Sequence, residues 1–232
     1  MSNKVIVALD FDSREKAISL VEALGPATTF YKVGLQMLVE EGPEIVNTLV
    51  DMNKDVFLDL KVHEIPNSVA GAVTAAGKLG VSMVTVHASG GAAVLRSAVT
   101  AAAPFPQLKV LALTVITSLS DSDLPSIGLA PSVAQQVTRL AQLAAAEKCH
   151  GVVASVQEAK LLCELLPKGM AIVTPGIHLS GMASNDQSRT ASPLDAFNAG
   201  ATHVVVGRAI TRAKDPRSAF EQASSAFSRG VV

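Results

Sequence analysis

Eight short runs of β-branched and apolar residues recur along the chain, each separated from the next by a longer stretch with helical spacing. They read "KVIVALD" from Lys4, "TTFYKVG" from Thr28, "DVFLDLK" from Asp55, "MVTVHA" from Met83, "KVLALTV" from Lys109, "GVVASV" from Gly151, "MAIVTPG" from Met170 and "HVVVGRAI" from His203. Near-continuous apolar strands of this kind belong in a parallel sheet covered on its outer face. Strand–helix alternation calls for right-handed βαβ units. Eight such units in 232 residues predict an α/β fold, a (β/α)₈ TIM barrel near its minimal length. No change of composition marks a boundary, so one domain over residues 1–232 is expected. An open doubly wound sheet is the alternative, but no G-x-G-x-x-G follows the first strand and no Walker loop is present.

The apolar fraction of 49% against 17% charged residues supplies a large core and argues against disorder. A formal net charge of −1 argues against a general nucleic-acid or anionic-membrane surface, so an anionic ligand must be met by a few placed cations. The apolar run before Asp10 is too short for a signal peptide, and none reaches the roughly 18–20 residues of a membrane span. A cytoplasmic location is therefore expected. Cys149 and Cys163 have neither metal-type spacing nor disulfide density. Cys163, in "KLLCELL", is expected to fill core.

Against this apolar background the segment "FLDLKVHEIPNS" (57–68) is anomalous. Asp59 and Lys61 are two residues apart, so in a strand they share a face, while Leu58 and Leu60 take the helix-covered one. Buried charge costs several kcal/mol per ion, and a structural ion pair is seldom a net gain. Other polar residues gather at the same strand ends: Asp10, Lys32, His87, Thr114, Thr117, Gly207 and Arg208. That end of a barrel carries the chemistry. A purely structural pair remains the alternative reading. Two long connections, 117–132 and 175–193, follow strands five and seven and read as lids. The loop after strand seven and "VVGRAIT" (205–211) after strand eight read as a phosphate-binding pair, with Gly207 permitting close backbone approach and Arg208 supplying a planar fork, the alternative being that Arg208 pairs with a nearby acid. His150 and His203 precede strands six and eight and read as structural. A metal cluster of His63, His87, Asp59, Glu64 and His178 would match no standard ligand spacing.

These residues resemble the orotidine 5′-monophosphate decarboxylase family. The likeness rests on "YKVG" with Lys32, on "LDLKVHEIPNS", and on "VHASGG" (86–91), "TPGI" (174–177), "NDQ" (185–187) and "VVGRAIT", in register over essentially the whole chain. The resemblance implies a homodimer that converts orotidine 5′-monophosphate to UMP and CO₂ with no metal and no organic cofactor, the last step of pyrimidine nucleotide synthesis. It implies that Asp59 sits beside the substrate carboxylate and that Lys61 protonates C6. Lys32 would bridge the ribose and the charge network, with Asp10 also on the ribose. Glu64 would reach into the neighbouring subunit's site, accompanied by Ser68. Thr117 would meet the pyrimidine, and Gln187, Gly207 and Arg208 the phosphate.

Two positions depart from the family pattern. The third acid of the motif is usually aspartate and is here Glu64, and the loop-seven motif usually reads "TPGIR" but here puts His178 at the phosphate-facing position. A histidine would bind phosphate more weakly and in a pH-dependent way. Two other enzymes share parts of this pattern. A Mg²⁺-dependent keto-sugar phosphate decarboxylase would lose activity with chelator. A Schiff-base aldolase needs an unprotonated amine, whereas acid neighbours favour the ammonium form of Lys61. A barrel that binds nucleotide without turnover is the non-enzymatic alternative.

Overall fold

The computed structural model describes residues 4–130, 132–179 and 191–228. The chain starts with strand β1 (Val5–Ala8) and helix α1 (Arg14–Leu24), then β2 (Phe30–Gly34), α2 (Leu35–Glu41) and α3 (Glu44–Asp51). It continues through β3 (Asp55–Val62), α4 (Pro66–Lys78), β4 (Met83–His87), α5 (Ala92–Ala102) and β5 (Lys109–Leu113). The remaining elements are α6 (Val133–Ala146), β6 (Gly151–Val153), α7 (Val156–Leu165), β7 (Ala171–Thr174), α8 (Pro193–Asn198), β8 (His203–Val206), α9 (Arg208–Thr211) and α10 (Pro216–Ser228). The eight strands form a closed parallel barrel in sequence order, with β8 returning to β1 through Val5↔Val204, Ile6↔Val205 and Val7↔Val206. The (β/α)₈ expectation is met.

Period-two alternation divides the apolar residues into two layers. Val5, Val7, Leu58, Val84 and Val110 face outward into the layer beneath the helices, and Ile6, Ala8, Phe30, Phe57, Leu111 and Val173 fill the barrel interior. Local signals set the helix ends. Ser13 accepts from the Lys16 N–H at the start of α1, and Gly25 closes that helix at φ 72°, a left-handed conformation that suits glycine. Ser155 and Glu158 form a reciprocal capping box at the start of α7.

Two helices follow β2, because Gly42 ends α2 and Pro43 opens α3. Two readings are corrected. Strand eight stops at Val206, and Arg208 opens the short helix α9. Cys163 is exposed, on the outer face of α7, while Cys149 is the buried cysteine. No helix among the described residues is long and apolar enough to cross a membrane.

Candidate active site

The C-terminal ends of the strands surround a cavity of about 870 Å³, open to solvent, lined by both polar and apolar groups. Asp10, Lys32, Asp59 and Lys61 line one side, Thr117 stands on the loop after β5, and His178, Gly207 and Arg208 line the side of β7 and β8.

On the β1–β3 side the charges alternate. Lys32 Nζ donates to Asp10 Oδ1 at 2.8 Å and lies 3.8 Å from Asp59 Oδ2, and Lys61 Nζ donates to the same Asp59 oxygen at 2.8 Å. The middle of this chain of charges is buried and its two ends are more exposed. The side chains of Lys32 and Asp59 are each 11% exposed, against 40% for Lys61 and 57% for Asp10. An unpaired carboxylate at the Asp59 position would carry a penalty of several kcal/mol. Here one oxygen faces two ammonium groups, and the other accepts from the Thr85 hydroxyl at 2.9 Å. Gly34, at the end of β2, makes room for the network. A Cβ there would lie 2.9 Å from Asp10 Oδ1 and 3.0 Å from Lys32 Nζ, closer than side-chain carbons normally come.

Asp59 and Lys61 meet as expected, but the backbone route differs from plain alternation. Lys61 is left-handed, at φ 50°. Between Leu58 and Val62, β3 advances four residues while β4 advances two, from Val84 to Val86, so the strand bulges. A non-glycine residue in that conformation costs roughly 1–2 kcal/mol. The displaced Lys61 N–H donates to the Thr85 hydroxyl at 2.8 Å. Hydrogen bonds to neutral partners contribute about 0.5–1.5 kcal/mol each and those to charged groups about 1.5–3. The Thr85 contacts are thus large enough to offset the strain.

Thr85, Gly34 and Arg212 are the site residues that sequence reasoning missed. Thr85 is fully buried and points the same way as Met83, into the barrel. Arg212, one turn beyond Arg208, also lines the cavity.

Glu64 and Ser68 do not line the cavity of their own chain. Both are exposed, and Glu64 Oε1 turns back to accept from the Ile65 N–H at 2.9 Å, just ahead of α4. Gln187 lies outside the described residues. His178 sits at the base of the loop after β7, its N–H donating to Ala191 O at 2.9 Å beside the Ile177↔Ala191 bridge. His63 and His87 stack with ring centroids 4.8 Å apart, and Ser89 Oγ is 2.5 Å from His87 Nδ1. Burial first, then the neighbouring His63 and Lys61 charges, hold His87 below the usual histidine range, which favours its neutral form. Among the described residues no group of three or more His, Cys, Asp or Glu side chains converges to hold a metal ion.

The fold and this site define a class: parallel-barrel enzymes with a buried lysine–carboxylate network at the strand C-termini and an arginine across the mouth. The sequence model described as "Orotidine 5'-phosphate decarboxylase / HUMPS family" matches residues 3–223. The orotidine 5′-phosphate decarboxylase of Pseudoalteromonas translucida (strain TAC 125) is 44% identical over 217 residues, 93% of this chain and 93% of its own. That of Saccharophagus degradans (strain 2-40 / ATCC 43961 / DSM 17024) is 43% identical over 231 residues, 99% of this chain and 97% of its own. The crystal structure of orotidine 5′-phosphate decarboxylase from Lactobacillus acidophilus matches with a TM-score of 0.87 at 36% identity, covering 98% of this chain and 100% of that one. The chain belongs to the orotidine 5′-phosphate decarboxylase / HUMPS family.

Proposed function

We propose that this chain converts orotidine 5′-phosphate to UMP and CO₂, using side chains alone, in the synthesis of pyrimidine nucleotides. The observation that carries the reading is the Lys32–Asp59–Lys61 network, which holds an ammonium group at the cavity surface against a buried carboxylate. Loss of CO₂ breaks the C6–carboxyl bond and leaves the electron pair on C6. With no electron sink in the pyrimidine at that carbon, the site itself must stabilise the developing charge. A preorganised cation does so without reorganisation at the moment of reaction. Lys61 is that cation, and its Nζ–H bond then breaks as the proton passes to C6. Asp59 fixes Lys61 and faces the departing carboxylate. Lys32 and Asp10 hold the ribose, Thr117 the pyrimidine, and Gln187, Gly207, Arg208 and His178 the phosphate. Binding energy gathered at the phosphate end helps close the loops over the reacting carbon.

The site is completed by a second copy of the chain, with Glu64 and Ser68 of each subunit reaching the ribose in the other. The exposed positions of Glu64, Ser68 and Ile65 after β3, together with the exposed apolar Leu35 and Val39 on α2 after the neighbouring strand β2, favour this arrangement.

The test is decay of the orotidine 5′-phosphate ultraviolet absorbance with the purified protein in excess EDTA. Turnover to UMP is expected, and Lys61→Ala should lower kcat by roughly 10⁴-fold. No turnover, with activity on a keto-sugar phosphate only when Mg²⁺ is added, would assign the chain to the other branch of its family. Nucleotide binding without turnover of either substrate would make it a binding barrel.

A further inference from the structure

Lys61 is held in its left-handed turn through a group that lies on another strand. The Thr85 hydroxyl, on β4, has one proton and accepts as well as donates. Its oxygen accepts from the Lys61 N–H at 2.8 Å, and its proton goes to Asp59 Oδ1 at 2.9 Å. The other Asp59 oxygen accepts from Lys61 Nζ at 2.8 Å. These contacts close a ring that runs from the Lys61 backbone through Thr85 and Asp59 to the Lys61 side chain. Thr85 is wholly inaccessible to solvent, so water has no free path to replace its hydroxyl.

We propose that Thr85 is the positioning residue of this site: its single hydroxyl couples the backbone turn at Lys61 to the Asp59 carboxylate and so sets where Lys61 Nζ stands in the cavity. Without the hydroxyl, the Lys61 N–H and Asp59 Oδ1 both lose their partner. The turn at residue 61 then has less to hold it, and the carboxylate is free to rotate. Either change moves the ammonium group. A displacement of about 1 Å at a reacting group is enough to cost about 10²-fold in rate. Thr85 touches neither substrate nor the reacting atoms in this account and acts only through Asp59 and Lys61.

The inference rests on the decarboxylase reading, and the experiment separates the two. Kinetics on orotidine 5′-phosphate are compared for the wild type, Thr85→Val, which keeps the shape, and Thr85→Ser, which keeps the hydroxyl. Intact sites are counted by UMP titration calorimetry. Thr85→Val is expected to lower kcat per site about 10²-fold, with KM within roughly threefold of wild type. Thr85→Ser is expected to restore kcat to within about threefold. A role in packing alone predicts the reverse order, with valine harmless and serine impaired. That order, or a valine variant with wild-type kcat per site, overturns the proposal. Should the valine variant not fold, Thr85→Ala deletes the same hydroxyl and must show the same loss, and wild-type kcat in it overturns the proposal equally. Inactivity of the wild-type protein on orotidine 5′-phosphate removes the functional reading instead. The coupling is then decided by hydrogen exchange at the Lys61 amide, expected to be at least about tenfold faster in the valine variant than in wild type or serine. Equal exchange in all three overturns it.

Discussion

His178 and Arg208 stand across the barrel from Asp59 and Lys61, and they differ in what they offer a phosphate. The guanidinium of Arg208 presents a planar fork of donors, whereas an imidazole offers one ring N–H toward a given oxygen and carries full charge only when protonated. Replacing His178 by arginine adds a charge-assisted contact, so His178→Arg is expected to lower KM roughly tenfold and leave kcat nearly unchanged. Steady-state kinetics on orotidine 5′-phosphate check this, and an unchanged or higher KM would show that His178 does not meet the phosphate. At this scale the sequence was readable where it broke its own pattern. Asp10, Lys32, Asp59 and Lys61 stood out because charge is costly inside an apolar barrel, and all four line the cavity. Thr85 did not stand out because threonine is an ordinary strand residue, and nothing in "MVTVHA" tells its hydroxyl from a β-branched methyl. Gly34 was equally silent, since the atoms it makes room for come from Asp10 and Lys32.

The strands and helices divide the barrel into a face for chemistry and a face for stability, and the histidines on the latter report acid. His203, at the start of β8, meets Phe30 edge-on with ring centroids 6.3 Å apart, and its Nδ1 lies 2.9 Å from Thr202 Oγ1. Burial, with smaller contributions from Lys109 and Lys4, pushes it down from 6.5 to about 4. His150, preceding β6, accepts from the Val110 N–H at Nδ1 and is lowered by burial and Lys109. The folded state thus holds His203 neutral, and the unfolded chain binds the extra proton. Its contribution is complete above pH 6.5 and is lost as pH falls toward 4, on the order of 3 kcal/mol in all. Urea midpoints are expected to fall between pH 7 and 5, and to fall less in His203→Gln. A slope unchanged by that substitution would place the acid sensitivity elsewhere.

Element boundaries were less legible than element identities. Seven of the eight strands lie within their apolar runs and β3 extends one residue past its own, to Val62, since a buried strand has to be largely apolar on both faces. The break at Gly42 and Pro43 and the end of β8 before Arg208 came from local turn chemistry that the periodicity does not register. The bulge at Lys61 was invisible for a similar reason: a left-handed lysine is specified by its partner on β4, not by its neighbours in sequence.

At the scale of the whole molecule, the placement of Glu64 outside its own cavity makes a prediction about shared sites. Lys61→Ala and Glu64→Ala should each be nearly inactive alone, since every site in either dimer lacks one group. Mixed and allowed to exchange, half of the dimers would be hybrid, each with one intact site, so activity should recover to about a quarter of wild type. Recovery no greater than the sum of the two parents would show that the chains do not share residues.

Closure of the barrel joins the two ends of the chain: β8 pairs with β1, bringing Arg208 to the same mouth as Asp10 and Lys32. A growing chain leaves the ribosome with its first three strands, and therefore with its most costly charges, long before the last strand exists to complete the wall around them. Until then the ends of β2 and β3 that carry Lys32, Asp59 and Lys61 face solvent across an unclosed sheet, where the charges are readily solvated and help keep that open face from sticking to others. The residues that would make the finished enzyme reactive would thus make the unfinished one safer, and nucleotide binding should become possible only with the arrival of the final βα unit.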